Sequence, residues 1–227
     1  MSARSIHKES LLKREAAHFE ESLQLNATAL IKYQEENDSL GFAEAIADQT
    51  ITLRHLYRTT GSEFYLILAK HQLKAAIEIA EKDEKEEALA QPLFNLAKVY
   101  GELEDYQNAI DNYKKALEIQ LQSPLQRPAI VADVIIHMSH AEYKNGDKSA
   151  KERLIAALTQ LEGSTEDKYN KLVWISGAHL YLADMLKEDE FEKAKNYLDQ
   201  AKEIIDSDDR LVLRKEQWKK LAETLNK

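Results

Sequence analysis

Apolar residues recur along this chain at spacings of three and four, and almost nowhere at a spacing of two. From Leu93 to Ile119 the pattern reads as two amphipathic helices. One apolar stripe carries Leu93, Leu96, Ala97 and Tyr100, and the next carries Ala109, Tyr113 and Ala116. The same period predicts helices over about 5–36, 41–58, 63–82, 85–103, 105–121, 128–144, 148–161, 166–187, 190–206 and 210–225. No stretch of alternating β-branched and aromatic residues reads as a strand. The expectation is an all-α chain of about ten helices.

Small residues interrupt the stripes at a regular interval. Four segments align as Ala69-x3-Leu73-x2-Ala76, Ala109-x3-Tyr113-x2-Ala116, Ala150-x3-Leu154-x2-Ala157 and Ala194-x3-Leu198-x2-Ala201. Their last alanines stand 40, 41 and 44 residues apart, and Ala29-Leu30-Ile31 is a weaker echo near the N-terminus. A fixed step of this size marks a helical repeat. Alanine suits the points where two packed helices cross at short range.

Turn residues keep the same frame. Gly61-Ser62, Glu104-Asp105, Asn145-Gly146-Asp147 and Glu188-Asp189-Glu190 precede the four second helices. Between repeats lie Lys82-Asp83-Glu84-Lys85, Ser123-Pro124, Glu162-Gly163-Ser164 and Asp206-Ser207-Asp208-Asp209, and Pro128 suits a first helical turn. The organisation expected is a single domain over 1–227. An N-terminal helix fills 1–38, about four helix hairpins fill 40–206, and a capping helix fills 207–227 with Leu211, Leu213, Trp218 and Leu221 turned inward.

Residues 93–119 resemble a tetratricopeptide repeat. The likeness rests on Leu96-Ala97 and Tyr100 in the first helix, Tyr106 opening the second, and Ala109, Tyr113 and Ala116 along it. Weaker copies carry Asn145-Gly146-Asp147 with Ala150 and Ala157, and Leu182-Ala183 with Phe191, Ala194 and Ala201. The long step is similar to repeats of the kinesin light chain type and of bacterial peptide-sensing regulators. The resemblance implies a right-handed superhelical α-solenoid of antiparallel hairpins. Its first helices would line a concave groove that receives a peptide or a partner helix.

Composition narrows the function classes. The 227 residues carry 40 Asp and Glu against 31 Lys and Arg, a net charge of −9. No concentrated basic face is visible, which disfavours nucleic acid and anionic membrane surfaces as partners. There is no cysteine, so disulfides, thiolate chemistry and zinc–cysteine sites are excluded. The longest apolar run, Phe64 to Ala69, is too short to span a bilayer, and the first residues show no targeting signal. A cytoplasmic protein without cofactors is expected.

Binding falls to first-helix residues that the packing stripe does not use. These are Gln91, Phe94, Asn95 and Lys98 in the best repeat, with Arg54, Arg58, His137, His140 and Tyr143 in its neighbours. Asn pairs a donor with an acceptor, Lys and Arg meet carboxylates, and Phe and Tyr give apolar contacts. They point to a protein or peptide partner with acidic side chains or a free carboxylate. Two metal patterns compete: Asp133, His137 and His140 on one helix face, and Glu15-Ala16-Ala17-His18 with a Glu-x-x-His spacing. The leading reading is a non-catalytic scaffold or adaptor. The alternatives are a peptide-sensing regulator and, after it, a helical-bundle metalloenzyme. A homodimer through the N-terminal helix also stays open.

Overall fold

A computed structural model of the chain describes residues 1–82, 84, 86–123 and 127–225. Asp83, Lys85 and Pro124, assigned above to inter-repeat turns, lie outside the described residues. Among the described residues there are eleven α-helices and no strand. They fall into two compact units, Met1–Pro124 and Leu125–Lys227.

The first unit holds α1 (Ala3–Glu15), α2 (Phe19–Glu35), α3 (Ser39–Thr60), α4 (Phe64–Lys82), α5 (Ala90–Glu102) and α6 (Tyr106–Gln122). A short 3₁₀ turn at Glu86–Leu89 leads into α5, where one helix was expected from residue 85. Helices pair as hairpins α1/α2, α3/α4 and α5/α6, and each hairpin packs on the next chiefly through its second helix, α2 on α3 and α4 on α5, with α1 against α3 and α3 against α5 alongside. The second unit holds α7 (Pro128–Lys144), α8 (Ala150–Gly163), α9 (Lys168–Leu186), α10 (Phe191–Asp206) and α11 (Val212–Leu225). Its hairpins are α7/α8 and α9/α10, with α11 laid against the second.

The alanines that set the sequence phase are the crossing points. Ala69, Ala76, Ala109, Ala116, Ala150, Ala157, Ala194 and Ala201 are all buried. Between them Leu73, Tyr113, Leu154 and Leu198 fill the interior. Capping begins the helices where Asp precedes them: Asp38 accepts from the Gly41 amide at 2.9 Å, and Asp167 from the Tyr169 amide at 2.9 Å. Pro128 opens α7, its fixed φ already helical.

The expected single helix over 5–36 is two helices. The chain reverses at Ala16-Ala17-His18, where Ala17 takes a left-handed φ of 61°. The His18 amide bonds to the Lys13 carbonyl and the Ala17 amide to the Arg14 carbonyl, both at 2.9 Å, the paired bonds of a Schellman turn. The same pair recurs around Asn37, Glu104 and Gly146. The Ala29 echo thus belongs to a second helix. Ser22, Asn26 and Ala29 stand buried on α2 at the spacing that Ala69, Leu73 and Ala76 keep on α4.

At the C-terminal end α11 packs against α9 and α10. Leu211, Ala222 and the partly buried Trp218 and Leu221 join Leu180, Ala183 and Leu198 in one cluster. Trp218 Nε1 donates to the Leu198 carbonyl at 3.0 Å and Arg214 Nε to the Val173 carbonyl at 2.9 Å. The Arg214 guanidinium lies on Gly177, where a Cβ would come within 2.7 Å of it. Gly41 is covered in the same way by the Tyr33 ring.

Two predictions follow from these local geometries. Left-handed φ costs an L-residue about 1–2 kcal/mol relative to glycine. Glu104→Gly, and more so its combination with Ala17→Gly, should therefore raise stability by about 1 kcal/mol per site, read as the urea midpoint. Gly41→Ala should lower it by about 1–3 kcal/mol, because the methyl must displace the buried Tyr33 ring. An unchanged midpoint in Gly41→Ala would show that the ring moves aside freely.

Candidate functional site

Side chains of successive first helices meet across sequence separations of 41 to 48 residues. In the first unit Arg54 and Arg58, from the last turns of α3, converge on Glu102 at the end of α5. Arg54 Nε donates to Glu102 Oε2 at 3.0 Å and its Nη2 to Oε1 at 2.9 Å, a two-pronged pair. Arg58 Nε donates to the same Oε1 at 2.8 Å. Burial opposes the charge on Glu102, but the two guanidinium groups hold its carboxyl below the usual range. The Arg54 side chain keeps only 7% of its surface exposed, against 29% for Arg58.

The other expected residues of this unit separate by depth. Asn95 is fully buried, with Nδ2 donating to the Ala47 carbonyl at 3.1 Å. It ties α5 to α3 instead of presenting its amide to a ligand. Phe94 is also buried, edge-on to Tyr113 with centroids 5.8 Å apart. It packs inside the α5/α6 hairpin and not on the surface, where it was expected. Lys98 is partly exposed and places Nζ 3.7 Å from the Phe94 centroid, and Gln91 is exposed at the start of α5. One turn of fold away, His7 of α1 bonds through Nε2 to Asp48 of α3 at 3.0 Å and through Nδ1 to the Tyr33 hydroxyl at 3.3 Å.

In the second unit a polar cluster spans α7 and α9. His137 Nδ1 lies 2.8 Å from the Tyr181 hydroxyl, and His140 Nε2 lies 3.1 Å from Asp184 Oδ2. The Tyr181 ring stacks on His140 at 4.1 Å. Lys144 and Lys187 reach Asp184 at 2.6 and 2.8 Å. Burial opposes the charge on Asp184. The bonds from His140, Lys144 and Lys187 outweigh it and hold the carboxyl well below its usual range. Burial also pushes His140 below the usual imidazole value, with Asp184 opposing. Tyr143, expected at the surface, is buried, with Lys148 Nζ 4.0 Å from its ring centroid.

The proposed metal patterns do not assemble. His137 and His140 turn to different α9 partners, and Asp133 stands 3.7 Å from His137 Nε2. Among the described residues no group of three or more His, Asp and Glu side chains is placed to hold a metal ion. Glu15 pairs with Arg14 at 3.0 Å, while His18 lies beyond the end of α1 near Glu21.

The residues that complete these clusters were missed by sequence reasoning: Glu102, Tyr181, Asp184, Lys144 and Lys187. A signal existed. Arg58 and Glu102, His137 and Tyr181, and His140 and Asp184 are each separated by 44 residues, one repeat step. The offset names these three partners, while Arg54 meets Glu102 and Asn95 meets Ala47 one helical turn further on, at 48 residues.

His179 of α9 is buried beside Tyr197, and its Nδ1 has no hydrogen-bond partner. Burial pushes its imidazole down to about 4. A lowered histidine favours folding above its unfolded value and loses that contribution as pH falls. Stability should therefore decline between pH 6.5 and 4, by about 3 kcal/mol from this group. His179→Gln should flatten that decline in urea titrations across the same window, and an unchanged slope would remove His179 as its source.

Stacked antiparallel helix hairpins with polar clusters between their first helices define a helical-repeat protein. Residues 66–122, from within α4 through α6, match the family model for the Tetratricopeptide repeat. No curated protein matches it. Among solved structures, BtubC (BKLC) from P. vanneervenii is 22% identical with a TM-score of 0.65, covering 90% of this chain and 80% of that one. A Rap protein complexed with Competence and Sporulation Factor is 17% identical with a TM-score of 0.70. It covers 94% of this chain, which spans 54% of the Rap chain. RapI in its apo form is 15% identical with a TM-score of 0.68, covering 97% of this chain and 82% of RapI. At these identities the likeness is one of fold. Among the described residues no helix is long and apolar enough to cross a membrane.

Proposed function

We propose that this protein is a non-catalytic scaffold that holds a peptide or a partner helix against the first helices of its hairpins. The observation that carries the reading is the division of labour on α3 and α5. Asn95 and Arg54 are buried and fix the two helices to each other, while Gln91 is exposed and Lys98 and Arg58 are partly exposed. A rigid backbone bearing adaptable polar side chains loses little entropy when a ligand is ordered on it. The fold likeness to a Rap protein complexed with Competence and Sporulation Factor supports a peptide-sized ligand. It also favours a second reading, a peptide-sensing regulator, which differs in requiring a change of shape on binding.

A photo-cross-linking amino acid placed at Gln91 tests the site. It should capture the ligand from a peptide library incubated with the full-length protein. The same group at Lys115, exposed on α6, should not. Capture at Lys115 alone would move binding to the second helices.

A further inference from the structure

The α7/α9 contact is built on imidazoles, where the α3/α5 contact is built on guanidinium groups. Arginine keeps its charge at every pH the fold meets, and histidine does not. His137 and His140 diverge to separate partners on α9, the Tyr181 hydroxyl and the Asp184 carboxylate. Tyr181 joins the two, because its hydroxyl meets His137 while its ring lies nearly flat on His140, 18° from parallel. A neutral His140 donates its Nε2 proton to Asp184 without bringing a charge. Asp184 is already saturated with cations. Lys144 lies on Oδ2, the oxygen that His140 also meets, and Lys187 lies on Oδ1. The neighbouring carboxylates are engaged elsewhere: Asp133 faces His137 at 3.7 Å, and Glu142 meets Arg153 of α8 at 2.7 Å. A proton taken up by His140 would therefore set a third cation on one carboxylate. The His140 side chain keeps 20% of its surface exposed, which leaves it open to proton exchange with solvent.

We infer that the α7/α9 contact is a proton-operated latch, closed while His140 is neutral and released when His140 takes up a proton. Release separates the C-terminal halves of α7 and α9, where Lys144, Lys187 and the imidazolium compete for Asp184. The sign follows from the surroundings of His140. Burial lowers its affinity for a proton most, Asp184 opposes that effect, and Lys144 and Lys187 reinforce it. The closed contact is thus favoured above the ordinary histidine value of about 6.5 and lost as pH falls through the lowered one. Asp184, held well below its usual range, stays ionised throughout. The latch concerns the fold's response to pH and involves no ligand, so it stands apart from the binding reading above.

Hydrogen exchange of the full-length protein, read by mass spectrometry and corrected for the intrinsic effect of pH, tests the latch. Protection of the α7 and α9 amides around His140 and Asp184 should fall about tenfold between about pH 7 and pH 5, while α3 and α5 around Arg54 and Glu102 change little. His140→Gln keeps a donor for Asp184 and cannot titrate, so most of the fall should disappear there. It should persist in His179→Gln, whose imidazole lies against Tyr197 of α10. Lys144→Gln relieves the crowding on Asp184, so at about pH 5 it should be better protected than the wild type, whereas loss of a purely structural ion pair would loosen the contact at every pH. The His140 ring signal in proton NMR should titrate over the range in which protection is lost. An undiminished fall in a folded His140→Gln, an equal fall in α3 and α5, or a ring that titrates with protection unchanged would each overturn the latch. Weaker protection of Lys144→Gln at both pH values would do the same. If His140→Gln does not fold at neutral pH, the Lys144→Gln comparison and the ring titration decide.

Discussion

The close approach of paired helices at alanine is the constraint on which the rest depends. The second helices α4, α6, α8 and α10 each offer two alanines seven residues apart, such as Ala109 and Ala116, with a large residue such as Tyr113 between them, and α2 places Ser22 and Ala29 there. The small positions let the partner backbone in, and the large one fills the space above and below. A leucine in place of either alanine would hold the two helices of that hairpin apart. The first helices inherit their positions from this crossing. That is why side chains 44 or 48 residues apart meet between them.

The turns must then return the chain within three residues. A Schellman turn does this with two backbone hydrogen bonds and one left-handed residue. Glycine fills that position at 146, but alanine, asparagine and glutamate fill it at 17, 37 and 104. The hydrogen bonds and the packing on either side outweigh the local strain, so the geometry persists without the residue that advertises it. This is the physical reason that the first hairpin was illegible. Ala16-Ala17-His18 reads as uninterrupted helix by propensity, and only tertiary packing of α1 on α2 and α3 decides otherwise.

Most of the helix order was legible because alanine phase and apolar period are local signals. Pro128–Lys144 was predicted to the residue, and α6, α9, α10 and α11 to within two at each end. The candidate site was legible only in outline. The sequence marks which first-helix residues lie off the packing stripe, and Gln91 and Lys98 do stand at the surface of α5. It does not mark depth. α5 is packed against α3, α4 and α6, so nearly all of its circumference is covered, and Phe94 and Asn95 are interior on a helix whose stripe seemed complete without them. Tyr143 on α7 is buried in the same way.

Burial of polar residues between first helices has a consequence for specificity. An apolar contact between α3 and α5 would hold the stack but offer nothing to a ligand. A polar contact that is complete only when every member is paired fixes one register, and each buried member that loses its partner costs about 1–3 kcal/mol. Arg54 with Glu102 is a contact of this kind, and Asn95 Nδ2 on the Ala47 carbonyl adds a further bond between the same helices. They make the hairpin interface unforgiving of slippage. Arg54 and Arg58 stand one helical turn apart on α3 and share the Glu102 carboxylate, the first almost wholly covered and the second partly exposed.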